Sequence, residues 1–199
     1  FPKRVAEGLA HVGRLVRMLD IANDPHVKES LRSYYAALTD AENRAAARKR
    51  AGKKLVRAFF PIWMEPLMTV NADTFISDVL HVAGAENVFA DRDRRYPLAA
   101  DLGRGSPLPP EEIEGRDVRY PRVSWNEVVE RSPEIVLLPD EPHDFTDADA
   151  ARFRELDIPA AKRAGGAAVA KVDGKDFSWY GARSLEGLGR VAALIDRYT

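Results

Sequence analysis

The stretch Leu55-Val56-Arg57-Ala58-Phe59-Phe60-Pro61-Ile62-Trp63-Met64-Glu65-Pro66 decides the fold. Its first half is an apolar run of strand length, interrupted by a single Arg and too short for a helix. Its second half is a Pro-bounded loop of large aromatic and acidic residues. Two further runs behave alike. Residues 135–138 lead into Pro139-Asp140-Glu141-Pro142-His143, and residues 168–172 lead toward Phe177-Ser178-Trp179-Tyr180-Gly181. Helix-like segments separate the runs, and strands alternating with helices imply a parallel sheet. In an open parallel sheet, the loops at the carboxyl ends of the strands line one crevice, where ligands bind. Trp63, Trp125 and Trp179, the three Trp of the chain, lie in or near these segments.

Outward from these runs, the rest of the chain is helical or loop-like. Val5, Leu9, Val12, Leu15, Val16 and Leu19 recur at helical spacing. Asn23-Asp24-Pro25 reads as a stop and restart, with Pro25 in a first-turn position. A second long helix is expected from His26 to about Ala51, closed by Gly52. Its basic end, Arg44, Arg48, Lys49 and Arg50, has no interleaved aromatic residue to stack on bases. It reads as a solvated helix terminus that opposes the negative end of the dipole. Asp73 is the expected N-cap of a helix containing Phe75, Ile76, Val79, Leu80 and Val82, with Gly84 closing it and a short strand at 87–89. Ser124 and Glu127 form a capping-box pair. Further helices are expected at 147–156 and 184–198. Residues 91–121, rich in Arg, Asp, Gly and Pro, read as a long surface loop.

Composition narrows the function. The 199 residues carry 30 Lys and Arg against 31 Asp and Glu, so no global field points to nucleic acid. There is no Cys, which removes disulfides, thiolate metal sites and Cys nucleophiles. No apolar run approaches the ~20 residues that cross a bilayer. The four His, 11, 26, 81 and 143, stand on different elements without metal-ligand spacing. No metal site of the protein's own is therefore expected. The chain opens Phe1-Pro2-Lys3, with neither an initiator Met nor a charged-then-apolar leader, and is expected to continue a longer protein.

Several segments in order carry a family likeness. They are Ile62-Trp63-Met64-Glu65-Pro66-Leu67-Met68-Thr69-Val70, Asp73-Thr74-Phe75-Ile76-Ser77-Asp78-Val79-Leu80, Ala83-Gly84-Ala85-Glu86-Asn87-Val88-Phe89, Arg119-Tyr120-Pro121-Arg122-Val123-Ser124, Leu137-Leu138-Pro139-Asp140-Glu141-Pro142 and Ser178-Trp179-Tyr180-Gly181-Ala182-Arg183. In this order and spacing the chain resembles the helical-backbone metal receptors. These are the class III substrate-binding proteins of ABC importers, and the cobalamin-binding-like branch is the most similar. The resemblance implies bridging helices over residues 1–52 and a C-terminal α/β ligand-binding lobe over 53–199, with the family's N-terminal lobe lying outside this chain. It implies capture of a metal chelate between two lobes and delivery to an ABC transporter permease, at the periplasmic or extracellular face of the cytoplasmic membrane. Cobalamin or a corrinoid is the first expected ligand, a ferric siderophore the second and haem the third. No cofactor of the protein's own is implied. Two positions depart from the family pattern. Leu67 stands where an aromatic residue is common. Asn126, followed by Glu127, stands where the family has a permease-docking Glu, and one residue along a helix turns a charge by about 100°.

The candidate ligand contacts are Trp63, Met64, Tyr120, Glu141, Trp179, Tyr180 and Arg183. Flat amphipathic rings offer large contact area to a corrin, haem or siderophore at low entropic cost. They can equally pack in the core or under the long loop. Arg183 can pair with a ligand carboxylate, amide or phosphate, or bond its own turn. Glu141 and His143 follow a strand and can reach the crevice, or belong to a structural turn. Trp125 either packs on the lobe or helps a partner dock. Asn126 and Glu127 are the permease-docking candidates.

Two other function classes stand beside transport. An α/β enzyme would need a nucleophile with its base, or carboxylates with separated pKa values. Ser178 has no G-x-S-x-G elbow, Asp140 and Glu141 are adjacent, and Gly165-Gly166 precedes a strand, so no such set is visible. An interaction module would use the exposed apolar crevice face of a single lobe.

Overall fold

Four short strands lie side by side in parallel in the order β4-β1-β5-β6, in a computed structural model that describes residues 1–198. They are β1 (Val56–Phe59), β4 (Ala85–Asn87), β5 (Ile135–Pro139) and β6 (Val169–Val172). A two-residue antiparallel ribbon, β2 (Trp63–Met64) and β3 (Leu67–Met68), stands beside this sheet. The long helices α1 (Val5–Met18) and α2 (Pro25–Arg50) precede β1. Between the strands lie α3 (Phe75–Ala83), α4 (Leu98–Asp101), α5 (Pro110–Ile113), α6 (Trp125–Arg131), α7 (Asp147–Arg154) and α8 (Pro159–Lys162). After β6 come α9 (Lys175–Ser178) and α10 (Ala182–Asp196).

The central strand β5 reads as an unbroken apolar run because both faces of the sheet are covered there, while β1, β4 and β6 each carry a charged residue. Side chains alternate strictly between the two faces. Val56, Ala58, Ile135 and Leu137 join one core with residues of α1, α2, α3 and α10. Phe59, Val136, Leu138 and Val169 join the other with residues of α6, α7 and α8. The expected parallel α/β sheet is thus present, as a three-layer arrangement.

Strand order locates the crevice. After β1 the chain goes through α3 to β4 on one side, then returns through α6 to β5 on the other side of β1. The connections therefore leave β1 and β5 in opposite directions. Their carboxyl ends flank a topological switch point, the place where open α/β sheets hold ligands.

Local chemistry explains the element boundaries. Asp24 caps α2 by accepting from the His26 and Val27 amides, with Pro25 in the first turn. Ser124 and Glu127 form the expected capping box of α6. Gly84 ends α3 at φ +101°, a backbone state that a Cβ would oppose.

Four expectations need correction. Thr74, not Asp73, caps α3, because its Oγ1 accepts from the Ser77 amide while Asp73 turns outward to Lys3 at 2.5 Å. The strand expected at 87–89 lies at Ala85–Asn87, and Val88 and Phe89 follow it into the core. The last helix starts at Ala182 and ends at Asp196 rather than spanning 184–198. Residues 91–121 are not simply a surface loop. They contain α4 and α5 and are tied down by a buried ion cluster in which Arg92 meets Asp101 at 3.2 Å and Glu127 at 3.0 Å. Among the described residues, no helix is long and apolar enough to cross a membrane.

Candidate functional site

Five chain segments meet at the switch point. Ile62 comes from the exit of β1, Thr74, Phe75 and Ile76 from the start of α3, and Glu141 and Pro142 from the exit of β5. Tyr120 comes from the segment before α6, and Ser178 and Tyr180 from the end of α9 and just beyond. Together they line a cavity of about 390 Å³. Most of its surface is apolar ring and aliphatic carbon, and its polar groups are few.

Each lining side chain has a local cause. Residues 119–122 pair with the segment after β3: the Asn71 amide donates to the Arg119 carbonyl at 2.9 Å, and the Thr69 amide to the Pro121 carbonyl at 3.1 Å. That pairing holds Tyr120 at the cavity. Burial pushes the Tyr120 phenol above its ordinary value, against the opposing pull of the Arg119 guanidinium. Arg119 lies 5.3 Å from the Tyr120 ring and is itself held by Asp117, to which it donates at 2.9 and 2.7 Å. Tyr180 stands edge-on to Phe75 at 5.2 Å between ring centroids. Ser178 Oγ donates to the Gly174 carbonyl at 2.9 Å and stands 3.3 Å from Glu141 Oε1. Asp140 accepts from the Gly174 amide at 2.8 Å, which joins the loops after β5 and β6. A Cβ at Gly174 would come within 2.8 Å of both Glu141 Cγ and the Glu141 carbonyl, so this join needs glycine.

Of the residues singled out from sequence, Tyr120, Glu141 and Tyr180 come together in the cavity wall. Trp63 and Trp179 do not line it. Both are exposed, at 43% and 53%, on the segments that carry the wall. Trp63 donates from its indole N–H to the Glu65 carbonyl at 3.1 Å and lies 5.4 Å from the His143 ring, tilted by 56°. Trp179 follows Ser178 directly, with the Lys175 ammonium 5.7 Å from its ring.

Two candidates are corrected by their placement. Met64 is only 4% exposed and belongs to the core, because the strand alternation that turns Trp63 outward turns its neighbour inward. Arg183 faces α9 instead of the cavity. It pairs with Asp173 and stands 3.5 Å from Asp176. Partial burial works to raise the Asp173 carboxyl, but the Arg183 guanidinium and the Lys175 amide together outweigh it and hold the group below its ordinary value. The turn-bonding alternative describes Arg183 as it stands.

The remaining candidates sit elsewhere. Asn126 is exposed on α6. Glu127 beside it is engaged within the fold, with one oxygen accepting from Arg92 at 3.0 Å and the other from the Ser124 amide at 2.8 Å. Trp125 packs on Phe153 at 5.0 Å, with the Arg152 guanidinium 4.9 Å from its ring. Among the described residues, no group of His, Asp and Glu has the geometry to hold a metal ion.

Phe75, Ile76, Thr74, Ser178 and Ile62 are wall residues that periodicity alone hides. Phe75 and Ile76 read as the apolar face of a helix, and only the position of the α3 N-terminus at the switch point turns them to the cavity.

No family model matches the sequence, and no curated protein is similar to it at the sequence level. Solved structures are similar in fold. One is the periplasmic heme-binding protein RhuT from Roseiflexus sp. RS-1, with a TM-score of 0.67 at 13% identity over 98% of this chain and 64% of that one. Another is the periplasmic vitamin B12 binding protein BtuF of Vibrio cholerae, with a TM-score of 0.65 at 16% identity over 100% and 64%. A third is an ABC-type Fe3+-hydroxamate transport system protein from Saccharomonospora viridis DSM 43017, with a TM-score of 0.64 at 15% identity over 97% and 56%. The chain thus spans 64% of the length of the first two. Its fold, an α/β lobe preceded by long helices, is thus similar to the corresponding part of these periplasmic binding proteins.

Proposed function

We propose that this chain is part of the substrate-binding component of an ABC importer, acting outside the cytoplasmic membrane, and that it binds a metal chelate without chemical conversion. Residues 1–52 serve as the bridging helices and residues 53–199 as the C-terminal lobe of a two-lobed clamp. The observation that carries this reading is the apolar cavity at the switch point, walled by Tyr120, Phe75 and Tyr180 and flanked by the exposed rings of Trp63 and Trp179. A volume of about 390 Å³ suits the edge of a corrin or one arm of a siderophore rather than a whole chelate, as half of a clamp would. Cobalamin or a related corrinoid is the first ligand expected, a ferric siderophore the second and haem the third. The fold similarity to proteins described as binding vitamin B12, heme and Fe3+-hydroxamate supports a chelate of this class. Delivery would involve docking on a permease, with Asn126 on the exposed side of α6 as a contact; Glu127 would have to leave Arg92 to take part.

Equilibrium dialysis against cyanocobalamin, a ferric trihydroxamate and hemin tests this reading. Saturable one-to-one binding of one of them, weakened about tenfold or more in a Tyr120→Ala/Tyr180→Ala double variant, is expected. Binding that ignores the double variant would move the site elsewhere. No binding of any of the three would sink the reading.

A further inference from the structure

The charges around the cavity carry a further consequence, which rests on the chelate-binding reading. Glu141 is the carboxylic acid in the wall, and its carboxylate has a hydroxyl partner, Ser178, at 3.3 Å, but no ion pair among the described residues. Asp140, next to it, is held by the Gly174 amide at 2.8 Å and adds negative charge at the same loop. Four cations on the surrounding segments are already matched by carboxylates, and among the described residues Lys175 is not. Arg119 is held by Asp117 at 2.7 Å, Lys3 by Asp73 at 2.5 Å, Arg152 by Glu65 at 2.9 Å, and Arg183 by Asp173. Lys175 lies over the Trp179 ring. The start of α3 works in the opposite sense, since a helix N-terminus favours anions. Its Ser77 amide, however, is taken by Thr74 Oγ1.

We infer that Glu141 makes this half-site selective for uncharged or cationic chelates and sets it against polyanionic ones. A carboxylate in a largely apolar wall repels an anion more strongly than it would in bulk water, because the field is less screened there. It also loses solvation when an anion displaces its water, with no cation to compensate. An uncharged trihydroxamate or cobalamin meets no repulsion and can offset the lost solvation by donating hydrogen bonds from amide groups to Glu141. A ferric tris-catecholate, with three negative charges, meets both, and so do the two carboxylates of haem if they point inward.

The test is a dialysis series on this chain with an uncharged ferric trihydroxamate, a cationic ferric trihydroxamate bearing a free amine, a ferric tris-catecholate and hemin. It is repeated on Glu141→Gln, which keeps the shape beside Gly174. The uncharged and cationic chelates should bind at least about tenfold more tightly than the tris-catecholate, and Glu141→Gln should close most of that gap by strengthening the tris-catecholate. Added salt should narrow the gap in the parent chain and leave the variant less affected. Equal or tighter binding of the tris-catecholate, or an unchanged ratio in Glu141→Gln, overturns the charge selectivity while leaving chelate binding intact. Failure of every chelate to bind overturns the chelate reading and this inference with it.

Discussion

Trp63 and Met64 are neighbours with opposite fates. In β2 successive side chains point to opposite faces, so one ring is offered to solvent and the next side chain is locked between Phe59 and Phe89's core and the helices beyond. The two positions therefore separate stability from binding. Met64→Ala should cost about 2–5 kcal/mol in urea denaturation, the range for truncating a buried side chain whose site collapses only partly. Trp63→Ala should leave the unfolding midpoint nearly unchanged and weaken chelate binding instead. A stable Met64→Ala protein would show that the core around β2 relaxes freely. Arg183 teaches the same lesson with charge: its guanidinium is drawn toward Asp173 and Asp176 and away from the cavity.

Among the elements, α3 matters most for the site, because its first turn forms part of the cavity wall. Its cap rests on one hydroxyl with two jobs. Thr74 Oγ1 donates to the Asn71 carbonyl at 2.9 Å and accepts from the Ser77 amide. Asp73, a residue earlier, pairs only at the surface with Lys3. Thr74→Ala should then destabilise by about 1–2 kcal/mol, and Asp73→Ala by less than about 1 kcal/mol. Thermal unfolding of the two variants checks this, and a larger loss for Asp73→Ala would reassign the cap. Both residues are good capping types, so their order in sequence could not separate them. The choice followed from which side chain was buried against the turn after β3.

For the whole molecule, the ion cluster under residues 91–121 joins three distant parts of the chain. Asp101 is 1% exposed and accepts from Arg92, from the Arg95 amide at 2.9 Å and from the Arg122 amide at 2.8 Å, while Arg92 also reaches Glu127 on α6. Removing Arg92 would leave Asp101 buried without its principal cation. Arg92→Ala should cost about 3–5 kcal/mol, read by denaturant titration. The cluster also predicts acid sensitivity. Burial alone would raise the Glu127 carboxyl, but the Ser124 amide and Arg92 outweigh it and hold the group below its ordinary value of 4.5. A carboxyl lowered in the folded state contributes its stability above the unfolded value and loses it as pH falls below that value. Stability should therefore decline as pH drops from about 5 toward 3, and Glu127→Gln should flatten that decline. An unchanged slope in Glu127→Gln would place the acid response elsewhere.

Order along the chain was enough to determine the kind of fold. The largely apolar runs at 54–60, 135–138 and 168–172 are short and separated by helical periodicity, the pattern of strands buried in a parallel sheet. The helix start at Pro25, the cap at Ser124 and the stop at Gly84 were legible because their chemistry is local, acting within a few residues. Which side chains line the cavity was only partly legible. Tyr120, Glu141 and Tyr180 could be named from the loops that carry them, but Met64, Arg183 and the wall formed by Phe75 could not be placed. Their roles depend on strand register, on ion pairs between elements and on the strand order that puts the exits of β1 and β5 side by side. Those are contacts between residues far apart in sequence, and tertiary structure alone decides them.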